Sequence, residues 1–173
     1  MKGAVVKAVE KLVISKTSVE TWENILVEAG FKKERLFLIR DNVDDSLTIK
    51  LITITARTLG VELLELFDIF GDYWINTFTS NIYAPFYENI KTGKEFLLEL
   101  DTIHVSITEM MNDATPPRFD YEEIDDNTLI VTYKSERGLI ELFMSIARAL
   151  FVKYQEKVKI EKIDEQKVKF IWL

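Results

Sequence analysis

The sequence predicts an α+β fold, in which an N-terminal helical subdomain is followed by a mostly antiparallel sheet with packed helices. Three observations carry this expectation. Apolar residues recur three and four apart from Val5 to Met111, which is helical spacing. The double proline Pro116-Pro117 then stops that pattern and stiffens the exit. Beyond it, short runs alternate apolar and polar residues between turn signals, as half-buried strands do.

Each element follows in order. Val5, Val6, Val9, Leu12 and Val13 give an amphipathic helix over about 3–15. Thr17-Ser-Val-Glu20 fits a capping box, and the helix it opens should end near Gly30. Arg40-Asp-Asn-Val-Asp-Asp45-Ser46 reads as a polar turn with an Asp or Ser cap for a helix to about Gly60. Another helix should cover 61–70, interrupted at Gly71 before a helical stretch from Trp74 to Phe78. Pro85 and Gly93 mark an irregular passage. A helix from Glu95 to Met111 carries His104 among Phe96, Leu97, Leu100, Ile103 and Ile107. Two strands follow, with Phe119 and Tyr121 on the first, Leu129, Val131 and Tyr133 on the second, and a turn at Asp125-Asp-Asn127. Residues 138–154 form a helix with Leu139, Leu142, Phe143, Ile146 and Leu150 inward. A hairpin around Asp164-Glu165 closes the chain.

Composition bounds the function. With 173 residues, 47% of them hydrophobic and 29% charged, the chain reads as one globular domain, 1–173, with no internal repeat or linker. A net charge of −7 argues against nonspecific binding to nucleic acid or anionic membrane, while leaving room for a local basic patch. The absence of cysteine excludes disulfides, thiolate metal sites and thiol nucleophiles from this sequence. A single histidine likewise excludes a multi-histidine metal site. Lys7 and Glu10 break up any signal-peptide core, and no apolar run approaches a bilayer span, so a cytoplasmic location is expected.

Conventional catalysis finds little support. Adjacent acids such as Asp44/Asp45 and Asp125/Asp126 sit in polar turns, where solvated caps are the ordinary reading. No nucleophile motif accompanies His104, and no glycine-rich phosphate loop is present. His104 on an apolar helical face reads either as a hydrogen-bonded core histidine or as a ligand. In Tyr133-Lys-Ser135-Glu-Arg137, residues i, i+2 and i+4 of an extended chain put a phenol, a hydroxyl and a guanidinium on one side. That group suits a carboxylate, although a surface strand end with one stray arginine has the same spacing. A buried imidazole suits haem iron and the polar triad suits its propionates; each is weak alone, and a haem pocket needs both.

These residues carry a resemblance over essentially the whole chain. Met1-Lys-Gly, Asp44-Asp45, the lone helical His104, Ala114-Thr-Pro116-Pro117-Arg118 and Tyr133-x-Ser135-x-Arg137 resemble the haem–nitric oxide/oxygen binding (H-NOX) family. That family includes bacterial gas sensors and the haem domain of soluble guanylate cyclase. The resemblance implies haem b (iron protoporphyrin IX) held between the helical subdomain and the sheet, with His104 as the proximal iron ligand. It assigns the propionates to Tyr133, Ser135 and Arg137, pairs Asp45 with that arginine, and has Pro116 push on the porphyrin. Asp45 as a helix cap and Pro116 as a helix terminator remain compatible with those roles.

The same resemblance places Val5, Val9, Trp74, Phe78, Leu142 and Ile146 in the distal pocket. Oxygen binders of the family carry a tyrosine hydroxyl where Leu142 stands, and often an asparagine where Trp74 stands. An apolar pocket there implies binding of NO and CO without stable O2 binding. It also implies a non-catalytic sensor, acting on a separate partner such as a histidine kinase or a cyclic-di-GMP enzyme. Two other classes stay open at this point. One is a haem enzyme, a peroxidase or an NO-detoxifying oxygenase; the other is a haem-free binder of an apolar acid clamped by Arg137.

Overall fold

A computed structural model describes residues 1–79, 90–110 and 114–173. They gather into two compact units, Met1–Phe70 and Gly71–Leu173.

In the first unit, α1 (Gly3–Lys16) buries Val6, Val9, Leu12 and Val13. The next helix, α2 (Val19–Ala29), is capped one residue later than the capping box predicts. Ser18 Oγ accepts from the Thr21 N–H, while the Thr17 hydroxyl turns back to the Val13 carbonyl and closes α1. Gly30 ends α2 in the left-handed conformation, and Gly60 does the same for α3 (Asp45–Leu59). The cap of α3 is Asp44, which accepts from the Leu47 N–H at 3.0 Å. The non-helical chain between α2 and α3 is tied to the start of α1, with Gly3 N–H donating to Asp41 O and Ala4 N–H to Ile39 O. Gly3 is required there, because a Cβ would lie 2.1 Å from the Leu38 carbonyl oxygen.

Helix α4 (Leu63–Tyr73) starts later than expected and runs straight through Gly71. Gly71 does not interrupt it. A Cβ at that position would stand 2.7 Å from the Ser145 carbonyl oxygen, so the glycine permits a close backbone crossing. The helix then widens into one π turn, Trp74–Phe78, closed by the Thr79 N–H on the Trp74 carbonyl. Lys153 donates to the Ile75 carbonyl at 3.3 Å, helping to satisfy this turn.

The second unit is built on α5 (Gly93–Met110), β1 (Arg118–Asp125), β2 (Thr128–Lys134), α6 (Ile140–Lys153), β3 (Val158–Lys162) and β4 (Lys167–Trp172). Gly93, expected in an irregular passage, instead opens α5; Pro85 lies outside the described residues. A reciprocal cap explains the start: Glu95 N–H donates to Thr92 Oγ1, and Thr92 N–H to Glu95 Oε2. The four strands are antiparallel in the order β1-β2-β4-β3, with Leu129 opposite Phe170 and Val131 opposite Val168. Their buried face carries Phe119, Leu129, Val131, Tyr133, Val168 and Phe170. It packs with Ile140, Phe143, Ala147 and Phe151 of α6 and Leu97 of α5. This is the predicted α+β class. Among the described residues, no helix is long and apolar enough to cross a membrane.

Candidate functional site

The site begins with α5. Its apolar repeat predicts a sealed face, but only Phe96 and Leu97 are fully buried; Ile103, His104 and Ile107 are half-buried. His104 Nδ1 lies 2.9 Å from the Pro117 carbonyl oxygen. A carbonyl can only accept, so Nδ1 carries the proton and Nε2 keeps its lone pair. Burial holds the imidazole below its ordinary value, against the opposing pull of the Pro117 bond and the Asp101 charge. The neutral, tautomer-fixed ring that results is the form that ligates metals.

What holds Pro117 was not among the sequence candidates. Asp101, one turn before His104 on the same helix, accepts twice from the Arg118 guanidinium, at 2.6 and 2.7 Å, and once from the Phe119 N–H at 2.8 Å. The Arg118 hydrogen bonds and charge, helped by the Phe119 N–H, hold the Asp101 carboxyl down at about 2 despite some burial. The i, i+3 spacing of Asp101 and His104 was the available signal, since both project over the same stretch of chain. Phe119 completes this side, its ring 5.5 Å from the imidazole and 5.9 Å from the Tyr133 ring.

Tyr133, Ser135 and Arg137 do come together, though not by strand alternation. Strand β2 ends at Lys134, and Ser135–Arg137 form a turn completed by Gly138. The Ser135 hydroxyl accepts the Arg137 N–H at 3.3 Å, the local bond that makes serine favour such turns. Tyr133 is buried, and that burial pushes its phenol up. Ser135, the Leu139 backbone and the Arg137 charge pull the other way. The Arg137 guanidinium donates to the Thr115 carbonyl at 2.6 Å and to the Thr115 hydroxyl at 3.0 Å. Thus the segment 114–118 is held by Arg137 at Thr115, by His104 at Pro117 and by Asp101 at Arg118. Pro116, half-buried, sits between those three attachments.

Apart from Asp45, the other positions are apolar. Leu142 and Ile146 are half-buried on α6, beside the fully buried Phe143 and Ala147. Phe78 is buried and Trp74 half-buried, and their rings stack with centroids 5.3 Å apart across the π turn. In the first unit, Val9 is buried and Val5 half-buried on α1. Asp45 opens α3 in that unit and forms an ion pair with the Met1 ammonium. A fixed-tautomer imidazole, a hydroxyl–guanidinium group and an apolar wall together suit an iron porphyrin with two carboxylates.

Comparison with known proteins agrees with this chemistry. The haem-NO-binding family matches residues 2–162, across both units. Two soluble guanylate cyclases of Caenorhabditis elegans are similar in sequence. For gcy-35 the identity is 23% over 96% of this chain and 25% of the relative; for gcy-37 it is 25% over 81% and 20%. The chain therefore spans a quarter or less of these relatives. Among solved structures, an oxygen-binding H-NOX domain related to soluble guanylate cyclases, in its oxygen complex, has a TM-score of 0.83 at 20% identity, covering 99% of this chain and 95% of that one. An unliganded Fe(II) mutant of the H-NOX protein from K. algicida gives 0.83 at 23%, with coverage of 99% and 95%. A near-complete family match and the same fold throughout lead to one conclusion: this chain belongs to the haem-NO-binding, or H-NOX, family.

Proposed function

We propose that this chain is a haem b gas sensor that binds NO and CO, does not hold O2 stably, and has no catalysis of its own. The observation that carries the proposal is the His104–Pro117 hydrogen bond, which leaves Nε2 as the one imidazole nitrogen available to iron. His104 would hold the metal, while Tyr133, Ser135 and Arg137 would hold the propionates. Pro116 would bear on the macrocycle. When bound, haem would supply a ferrous iron able to take a diatomic gas, and His104 would be the residue that holds it.

The chain's own part is selection and transmission. Leu142 and Ile146 present only aliphatic carbon, and the stacked Trp74–Phe78 pair adds two ring faces. A polarised ligand such as O2 loses a charge-assisted hydrogen bond there, worth about 1.5–3 kcal/mol, whereas weakly polarised NO and CO lose much less. The His104 ring is bonded to Pro117 through Nδ1, so any shift of the ring would be felt there whatever Nε2 holds. Such a shift would pass to segment 114–118 and, through Asp101, along α5. A partner that prefers one position of these elements reads the gas. A cytoplasmic histidine kinase or cyclic-di-GMP enzyme would fit that role.

Absorption spectra of the reduced protein in air, under CO and under NO test the reading. The expected result is an unliganded ferrous spectrum in air, a CO adduct, and a five-coordinate nitrosyl band. A stable oxygen adduct in air would overturn the selectivity. Peroxide turnover well above that of free haem would overturn the non-catalytic assignment, and failure to take up hemin would overturn the whole reading.

A further inference from the structure

The segment between α2 and α3 displays two leucines that the fold does not use. Leu36 is 74% exposed and Leu38 68%, while Phe37 between them is 2% exposed, with its ring edge-on to Phe31 at 5.3 Å. The display is built rather than loose. Arg35 donates to the Asp41 carboxylate at 3.0 Å, the Leu38 N–H donates to the same carboxylate at 3.1 Å, and the Asp41 N–H returns to the Leu38 carbonyl. Ile39 and Asp41 are bonded in turn to the first residues of α1, and Gly3 packs on the Leu38 carbonyl. An outward apolar pair held this firmly has already lost the freedom that binding would otherwise cost it.

The surroundings say what it fits. Four basic residues, Lys32, Lys33, Arg35 and Arg40, border the leucines against two acids, Glu34 and Asp41, in a chain of net charge −7. Lys33 pairs with Glu23 and Arg35 with Asp41, whereas Lys32 and Arg40 have no ion pair among the described residues. An apolar centre with a basic rim complements an apolar strip edged by aspartate and glutamate. A bilayer fits less well, since it would face the acidic remainder of the molecule as well as this loop.

We infer that Leu36 and Leu38, with Lys32 and Arg40 at their rim, form a docking surface for an acidic, amphipathic segment of a partner protein. The surface stands on the loop alone. Its use in signalling rests on the sensor reading above, through the bonds that tie the loop to the helix bearing Val5 and Val9. The test is titration of the haem-loaded protein with a designed amphipathic helix that has a leucine face edged by glutamates, alongside a lysine-edged version. The glutamate peptide should bind, weaken with added salt, and lose about tenfold or more in affinity in the L36D/L38D double variant. The variant's near-ultraviolet circular dichroism and gas spectra should stay unchanged, because both side chains point to solvent. Equal binding of the two peptides, or no loss in the variant, overturns the inference. Co-sedimentation with phosphatidylserine vesicles without peptide binding assigns the surface to membrane instead, and a concentration-dependent dimer abolished by the double variant assigns it to a second copy. Normal NO spectra with no peptide binding would sink the surface and leave the sensor reading standing.

Discussion

The two sides of the second unit are held by different forces. Around His104, nearly every polar group is matched: Asp101 to Arg118 and Phe119, Nδ1 to Pro117, Arg137 to Thr115. Leu142 and Ile146 are half-buried aliphatic side chains, and the Trp74 and Phe78 rings stack. Directional bonds fix a donor atom to within tenths of an ångström, as a metal ligand requires. Dispersion contacts fix only volume, which suits a small apolar gas. Under the proposed function, the side that must place an atom is the bonded one and the side that must admit a ligand is the packed one.

Replacing His104 by alanine should break the contrast most. Haem retention after gel filtration should fall to near background and recover with added imidazole, read from the absorption ratio. Retention without imidazole would show that the bonded side does not hold the cofactor.

Giving the packed side one directional group comes next. Leu142→Tyr brings a phenol donor to α6, and O2 affinity should rise about ten- to a hundredfold, the equivalent of one charge-assisted bond. Laser-flash or stopped-flow rates would show whether the gain lies in slower O2 release. No gain would mean that position 142 does not face the bound gas.

Asp101→Asn should weaken the bonded side by a smaller, pH-dependent amount. The Asp101 carboxyl is held at about 2 in the folded chain, below its ordinary value of 3.8. Its contribution is therefore complete above about 4 and lost as pH falls through about 2. The urea midpoint of Asp101→Asn should lie below that of the parent at neutral pH, and the gap should close on acidification. A gap independent of pH would contradict the assigned charge. The smallest effect is expected from Ser135→Ala, which removes one hydroxyl bond in the Arg137 turn at a cost of about 0.5–1.5 kcal/mol. Haem dissociation should speed up severalfold with the nitrosyl spectrum unchanged.

Much of this was legible along the chain because local chemistry repeats at short range. The caps at Asp44 and Gly30, the closing hairpin, and the helix bearing His104 all follow from residues within a few positions of each other. Gly71, expected to interrupt a helix, lies within α4 for the opposite reason. Its meaning lies in the Ser145 carbonyl, which is distant in sequence. The spacing of Tyr133, Ser135 and Arg137 predicts an extended chain, yet β2 stops at Lys134, because alternation alone does not show where pairing ends.

By itself the sequence determined the α+β class, the one imidazole that could serve a metal, and the apolar character of positions 142 and 146, since composition and period are local properties. Only the tertiary structure decided which imidazole nitrogen carries the proton and that Asp101 steadies segment 114–118. It alone also revealed that Leu36 and Leu38 stand out in solvent. A hydrogen bond between α5 and the start of β1 depends on where two distant stretches meet, and no spacing along the chain encodes that distance.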